Sequence, residues 1–493
     1  MTPLPKPVRT TTAKAGALAV ALWLALTASA QEIELPDIGG PGGDALPVAE
    51  ERRLGDRMMR EIRRFLPLVE DPEVTQYIRD LGHRLAAHSE DPAYGFNFFV
   101  VDDSNINAFA MPGGHIGLYS GLIVASESES ELGGVVAHEI AHVTQRHIAR
   151  NYAQAQRLNL QAAAAVLAGI LIGSQDPQAG SAAIMAGIAA PIQQQLRYSR
   201  DYEREADRVG VRTMARAGLD PRGMPRFFER LAEASQYAEQ PPEYLSSHPL
   251  TQQRLTETQE MANRHRNVEI FESGDHAFIR ARLQVAGERT AAEAVTAMRD
   301  RLTRAEEPSY RRGARYGLAL ALARDGRHGE ARLLLDRLLD EQGERLLILL
   351  ARAEVEREAE EWEAALAIYK SASSLYPGNQ AVLHRYAETL MAVARHEEAR
   401  RLLVRHAASD RPALLRLLAE AAHAGGREAE GYIALAKYYH ALSEFNSAMA
   451  QLNNALRHAG DAPYQRAEAE ALRDRWQESY RGQQEPSSGR RLH

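Results

Sequence analysis

The sequence predicts a mainly α-helical protein with a small β-sheet, built as a globular domain followed by an α-solenoid. Three observations carry that expectation. Short apolar stretches bounded by turn residues interrupt helical patterning between positions 96 and 119; a capped, apolar helix follows them; and beyond about Arg266 small residues recur at a fixed spacing. At 493 residues the chain is too long for one compact domain, and its 45% hydrophobic and 25% charged residues are ordinary for folded protein. The net charge of −7 is mild and offers no basic footprint for nucleic acid. With no cysteine, the chain has no disulfides, thiolate metal sites or lipid-modified cysteine, so any metal must be held by His and carboxylates.

The N-terminus reads as a targeting segment. Lys6, Arg9 and Lys14 precede an apolar stretch from Ala15 to Leu26, and Ala28-Ser29-Ala30 is an A-x-A-type cleavage site. Residues 1–30 are therefore expected to be a signal peptide, with a mature chain starting near Gln31; an uncleaved anchor is the competing reading, against which the apolar core is short of the roughly 20 residues a span needs. A basic leader and no cysteine suit a bacterial periplasm. Residues 31–48, rich in Gly and Pro, read as a linker. From Glu50 to about His88 the pattern is helical, with a break at Asp71-Pro72. Phe96–Val101, Ala108–Met111 and His115–Tyr119 read as strands, the last two around Pro112-Gly113-Gly114. Ser128 with Glu131 forms a capping box that opens a helix expected to run to about Arg150. The Ala-rich stretches 162–172 and 182–192 are each about half a membrane span, and are expected as buried helices beside the site, with peripheral contact at a membrane surface as the alternative.

Beyond Arg266 the helical pattern repeats. Ala319 and Ala331, Ala353 and Ala365, Ala387 and Ala399, and Ala436 and Ala448 are pairs 12 apart, and the first three recur at 34 (319, 353, 387). Small residues at two fixed points let paired helices approach, and a 34-residue period is that of the tetratricopeptide repeat. Leu335, Tyr369, Leu403 and Leu452 each fall four residues after the second Ala, as the large apolar partner. An extra helix near Ala413–Ala424 displaces the last pair by 15 residues. Residues 269–460 are thus expected to form a repeat domain, which binds rather than catalyses, with 461–493 a partly disordered tail.

His138-Glu139-Ile140-Ala141-His142 is an H-E-x-x-H motif on the capped helix. Residues four apart share a helix face, so both imidazoles can reach one ion, with Glu139 beside them as general base. A third protein ligand is needed. The metzincin pattern fails, because positions 145 and 148 hold Gln145 and Ile148, and His147 is out of phase with the ligand face, as a surface residue or one behind the ligands. Glu203 and Asp207, four apart on an expected helix, face one way: one carboxylate can bind metal while the other orients a ligand imidazole. Glu205 reads as a solvated helix face.

Taken together, H-E-I-A-H, then Tyr198-Ser199-Arg200-x-x-Glu203-x-Glu205-Ala206-Asp207-x-x-Gly210, with Asn107-Ala108-Phe109-Ala110-Met111-Pro112-Gly113-Gly114 before them, resembles the zincin peptidases that include HtpX and the CAAX prenyl endopeptidases. The closer resemblance is to the periplasmic BepA/YfgC-like branch, which joins such a peptidase to C-terminal tetratricopeptide repeats, and it spans about residues 49–460. It implies a zincin-type metallopeptidase domain over 49–268 followed by an α-solenoid of tetratricopeptide repeats, with one Zn2+ held by His138, His142 and Glu203. It makes Asp207 the companion of a ligand imidazole, and His248, in Ser247-His248-Pro249 with Arg254 six residues on, a fourth, switch ligand that holds the enzyme inactive until its loop moves. The strand His115–Tyr119 is expected to align an extended substrate by edge pairing.

The expected function is that of a periplasmic zinc endopeptidase, associated with the outer membrane, that serves quality control and assembly of outer-membrane proteins. Its repeats would engage outer-membrane protein precursors and the β-barrel assembly machinery. The alternative is chiefly a chaperone or adaptor scaffold with little proteolysis; a metal-bound but inactive pseudoenzyme is a weaker third reading, since every residue expected for the chemistry is present.

Overall fold

The computed structural model describes residues 46–91, 94–153, 199–237, 242–265, 267–406, 411–460 and 462–484. The expected signal peptide, all of the linker but 46–48, and both Ala-rich stretches lie outside the described residues.

Two amphipathic helices lead in, α1 (Val48–Phe65) and α2 (Pro72–Ala87). Asp71 caps α2, accepting from the Glu73 and Val74 amides, and Pro72 stands at its first position, so the helix starts where the sequence breaks. A three-stranded sheet follows: β1 (Asn97–Val101), β2 (Ala108–Met111) and β3 (His115–Tyr119), with β1 and β3 parallel and β2 and β3 antiparallel. The strand order is β1-β3-β2. This corrects one expectation: His115–Tyr119 is the middle strand and has no open edge. Gly117 is a reason it sits there. A Cβ at that position would come within 2.8 Å of Phe99 on one flanking strand and 2.6 Å of Phe109 on the other, whose rings meet edge to face across it at 5.8 Å. Among the described residues, β2 carries an edge with no strand beside it.

After the short α3 (Ser120–Ala125), α4 (Glu129–Thr144) is the central, almost wholly buried helix. The Ser128 hydroxyl accepts from the Glu131 amide, and the Glu131 carboxylate accepts from the Glu127 amide. The helix does not run on to Arg150 as expected. Arg146 adopts a left-handed backbone (φ 53°) and a separate helical stretch occupies 147–153. The helical segment 199–216 (α5), then α6 (Gly223–Tyr237), α7 (Tyr244–Ser247) and α8 (Gln252–Arg264), pack around α4.

The solenoid begins with α9 (His276–Gly287) and α10 (Ala291–Arg304), followed by the pairs α11 (Pro308–Arg324) with α12 (His328–Gln342), α13 (Leu346–Glu358) with α14 (Trp362–Leu375), and α15 (Gln380–Ala392) with α16 (His396–Val404). The extra helix α17 (Pro412–Ala424) precedes the last pair, α18 (Glu428–Ala441) with α19 (Phe445–His458). All eight spaced alanines and all four of the large apolar partners are fully buried, as close helix approach requires. The period is also written in the backbone. Gly326, Glu360 and Ala394, 34 apart, each turn the chain between paired helices with φ between 58° and 75°. Within the expected tail, α20 (Pro463–Gln484) is helical, with Ala469 buried and Trp476 stacked on His440 at 4.0 Å; residues 485–493 lie outside the described residues.

The helices around α4 and the repeat helices are not separate bodies. One hydrophobic core runs from Val74 of α2 through α4 and α9 to Val355 of α13. A buried ionic cluster reinforces it: Arg282 of α9 reaches Asp71 at 2.7 Å and Glu354 of α13 at 2.9 Å, and Arg385 of α15 reaches Glu73 at 2.8 Å. Farther along, Arg60 and Arg63 of α1 donate to the carbonyls of Ser443 and Leu442, so the turn between α18 and α19 also rests on the first helix.

Candidate metal centre

The site is made where α4, α5 and the α7–α8 loop meet. Helical spacing puts His138 and His142 on one face, with their Nε2 atoms 3.0 Å apart. α5 brings Glu203 opposite them: its Oε2 is 3.4 Å from His138 Nε2 and its Oε1 is 3.4 Å from His142 Nε2. Gly210, which ends the α5 motif, permits this approach, since a Cβ there would press on Met224 at 2.8 Å and on the His138 backbone at 3.3 Å. Beside it, Ala206 and Val209 pack on Ala141.

His248 follows α7 and directs Nδ1 into the same space, 3.3 Å from His138 Nε2 and 3.1 Å from both Glu203 oxygens. One donor atom from each of His138, His142, Glu203 and His248 lies within 4.8 Å of the other three. The four residues named from the sequence as ligands are therefore brought together. Glu139 is 1% exposed; both its oxygens lack a hydrogen-bond partner, and His248 Nε2 stands 3.5 Å from one of them.

Behind the donors, Asp207 Oδ1 lies 2.9 Å from His138 Nδ1. Arg254 grips Asp207 through two 2.8 Å bonds, reaches Glu203 Oε2 at 2.9 Å, and donates to the Pro249 carbonyl, just past His248. One guanidinium thus ties Glu203 and Asp207 of α5 to the loop. The sequence pointed to Arg254 only by its place after His248; its contacts needed the fold. Tyr244, which sequence reasoning missed, stacks on His248 at 4.6 Å and donates its amide to the Ile106 carbonyl just before β2.

At two further positions the fold decides what the sequence left open or misread. His147 is 1% exposed and sits 3.0 Å from His142, Nδ1 to Nδ1, so the option of a residue behind the ligands holds and the surface option does not. Glu205 is not merely solvated: it accepts from His147 Nε2 at 3.0 Å and from Arg150 at 2.8 Å. No periodicity argument could place either, because both depend on the break at Arg146.

The electrostatics fit a cation. Burial opposes charge on His138, yet hydrogen bonds and the negative charges of Asp207 and Glu203 outweigh it and raise the ring to about 10. Glu203 is held well below the usual carboxylate range, burial notwithstanding, by the charge of His248 and by hydrogen bonds from the three imidazoles. Asp207 is likewise held down against burial by the Arg254 charge. Burial pushes His142 down. Imidazole nitrogens with one carboxylate are a donor set suited to zinc, and Glu139, left without a hydrogen bond, stands where a water's proton could be taken.

Residues 72–262 match the model of peptidase family M48, and residues 356–421 match a tetratricopeptide-repeat model. The chain is 41% identical over 310 residues (63% of its length and 64% of the relative's) to a Vibrio cholerae protein whose name includes beta-barrel assembly-enhancing protease. It is 37% identical over 305 residues to the beta-barrel assembly-enhancing protease of Escherichia coli (strain K12), covering 62% of each chain. It is also 30% identical over 208 residues to the zebrafish (Danio rerio) metalloendopeptidase OMA1, mitochondrial, covering 41% of this chain and 43% of that one. The chain spans just under two thirds of the length of the first two relatives, at 64% and 62%.

Proposed function

We propose that this chain, which joins a peptidase family M48 domain to C-terminal tetratricopeptide repeats, is a zinc-dependent endopeptidase that acts in outer-membrane protein assembly and quality control. The observation that carries the reading is the convergence of donor atoms from His138, His142, Glu203 and His248 beside a buried Glu139 that makes no hydrogen bond. When bound, zinc supplies Lewis acidity, lowering the pKa of a water toward 7 and polarising the scissile carbonyl. Glu139 accepts the proton of the attacking water and returns it to the leaving amine. The Asp207 carboxylate, 2.9 Å from His138 Nδ1, favours the proton on that nitrogen and so turns the Nε2 lone pair inward. Arg254 compensates the charge of Glu203 and Asp207 and anchors the loop at Pro249.

His248 belongs to that loop as a self-inhibiting fourth ligand. Its Nδ1 occupies the space a water would need, and its Nε2 lies beside Glu139, so the closed loop covers both the metal position and the base. An extended substrate would then pair with the edge of β2, which has no strand beside it among the described residues and lies against α4, and the Tyr244–Ile106 bond sits at the start of that edge.

The signal-like leader supports export to the periplasm, and no helix among the described residues is long and apolar enough to cross a membrane. The proposed organisation is a signal peptide (1–30), a linker (31–48), the peptidase (49–268), the repeats (269–460) and the tail. The words "assembly-enhancing" in the relatives' names favour a second role for the repeats, in binding outer-membrane protein precursors and the assembly machinery. Metal analysis of the parent and of His142→Ala tests the centre: about one zinc per parent chain and a loss in the variant are expected. Complementation with Glu139→Gln separates the roles, since full rescue would favour the adaptor and none the peptidase.

A further inference from the structure

The two histidines of the H-E-x-x-H motif are backed by different groups. Asp207 stands behind His138, and His147 behind His142. On a continuous helix residue 147 would point about 140° away from residue 142. It reaches His142 because α4 stops at Thr144 and Arg146 turns left-handed, a conformation that is strained for a non-glycine residue. The turn is held from outside: the Arg146 guanidinium donates to the Leu46 carbonyl and lies 3.4 Å from Glu51. Backbone strain maintained by distant contacts, one turn past a candidate ligand, calls for an account of what it positions.

We propose that His147 is a positioning residue for the metal site, and that together with Glu205 it fixes the tautomer and ring orientation of His142. This rests on the reading of His142 as a ligand. If Nε2 of His142 faces the metal, its proton is on Nδ1 and is donated to the nitrogen 3.0 Å away, Nδ1 of His147. His147 then carries its own proton on Nε2 and donates it to Glu205 at 3.0 Å. Arg150 completes the series by donating to the same Glu205 oxygen at 2.8 Å. The ring cannot rotate freely, because it stacks on Tyr202 at 4.6 Å and 17°, while Arg150 covers the Tyr202 ring at 4.5 Å. One ligand is thus oriented by a carboxylate and the other by an imidazole that a carboxylate orients in turn.

The test is zinc affinity by chelator competition, together with the absorption spectrum of the cobalt-substituted protein. His147→Phe keeps a ring on Tyr202 but removes both nitrogens; zinc should bind about 10- to 100-fold more weakly, with an altered cobalt spectrum. His147→Gln offers an acceptor and a donor in one side chain and should recover most of the affinity. Glu205→Ala, at a part-exposed position that does not open the core, should lose about 10-fold and keeps the test available should His147→Phe fail to fold. Parent-like affinity and spectrum in His147→Phe, or unchanged affinity in Glu205→Ala, overturns the proposal. Loss of zinc in His142→Ala alongside an unaffected His147→Phe would sink this inference alone. Zinc retained in full by His142→Ala would remove the metal reading and this inference with it.

Discussion

Asp207 and Arg254 face each other through two parallel 2.8 Å hydrogen bonds, almost wholly shielded from solvent, and the third arm of the guanidinium ends at the carbonyl next to His248. The pair sets the back of the metal centre and the seat of the loop at once. Arg254→Ala would leave Asp207 and Glu203 buried without their cation. Breaking such a pair from one side costs about 3–5 kcal/mol. Denaturant unfolding of the metal-free protein should register a loss of that order, and a loss under 1 kcal/mol would mean that the carboxylates are compensated elsewhere.

Glu139→Gln keeps the shape of the side chain but removes the base. Zinc content and thermal midpoint should match the parent, while hydrolysis of an unfolded protein such as casein falls by about 10²–10⁴-fold. Cleavage at the parent rate would show that the proton goes elsewhere.

His248→Ala opens the fourth position while leaving His138, His142 and Glu203 in place. Under self-inhibition, casein cleavage should rise several-fold with about one zinc retained. Cleavage at or below the parent rate, with zinc still bound, would exclude an inhibitory role for His248.

His276, at the start of α9, is buried, with Nε2 3.0 Å from the Ser126 hydroxyl. Burial, with a smaller push from Arg280, holds its ring down at about 3, against about 6.5 in an unfolded chain. Between these values the unfolded state binds the extra proton, so this contribution to stability is intact above about pH 6.5 and is lost progressively as pH falls toward 3. The parent should therefore lose roughly 2 kcal/mol more than His276→Asn between pH 7.5 and 5, measured by denaturant titration. Equal losses would mean that the site admits the proton.

Ala394 and Glu360 occupy left-handed turn positions where Gly326 stands in the first of these pairs, and both are exposed. Ala394→Gly should relieve backbone strain without removing a contact. After the larger chain entropy of glycine is allowed for, a gain of about 0.5–1 kcal/mol is expected. Gly326→Ala should lose a similar amount. A destabilised Ala394→Gly protein would show that the turn is not strained.

Local patterns determined a good deal of this protein. The H-E-x-x-H spacing put His138 and His142 on one face, Ser128 and Glu131 marked where α4 begins, and the 34-residue alanine period located the paired helices to within a few residues. Each is a short-range property, because helix geometry and capping act over a few residues and a repeat copies one local unit. What depended on long-range packing was decided only by the tertiary structure. His115–Tyr119 is the central strand because β1 and β2 both pair with it, and no strand encodes its neighbours. The left-handed turn at Arg146, which carries His147 back to His142, is held by Leu46 and Glu51, about a hundred residues earlier in the chain. Arg254 serves two carboxylates and a carbonyl at once because the fold buries all three beside its guanidinium, and burial is a property of the folded whole.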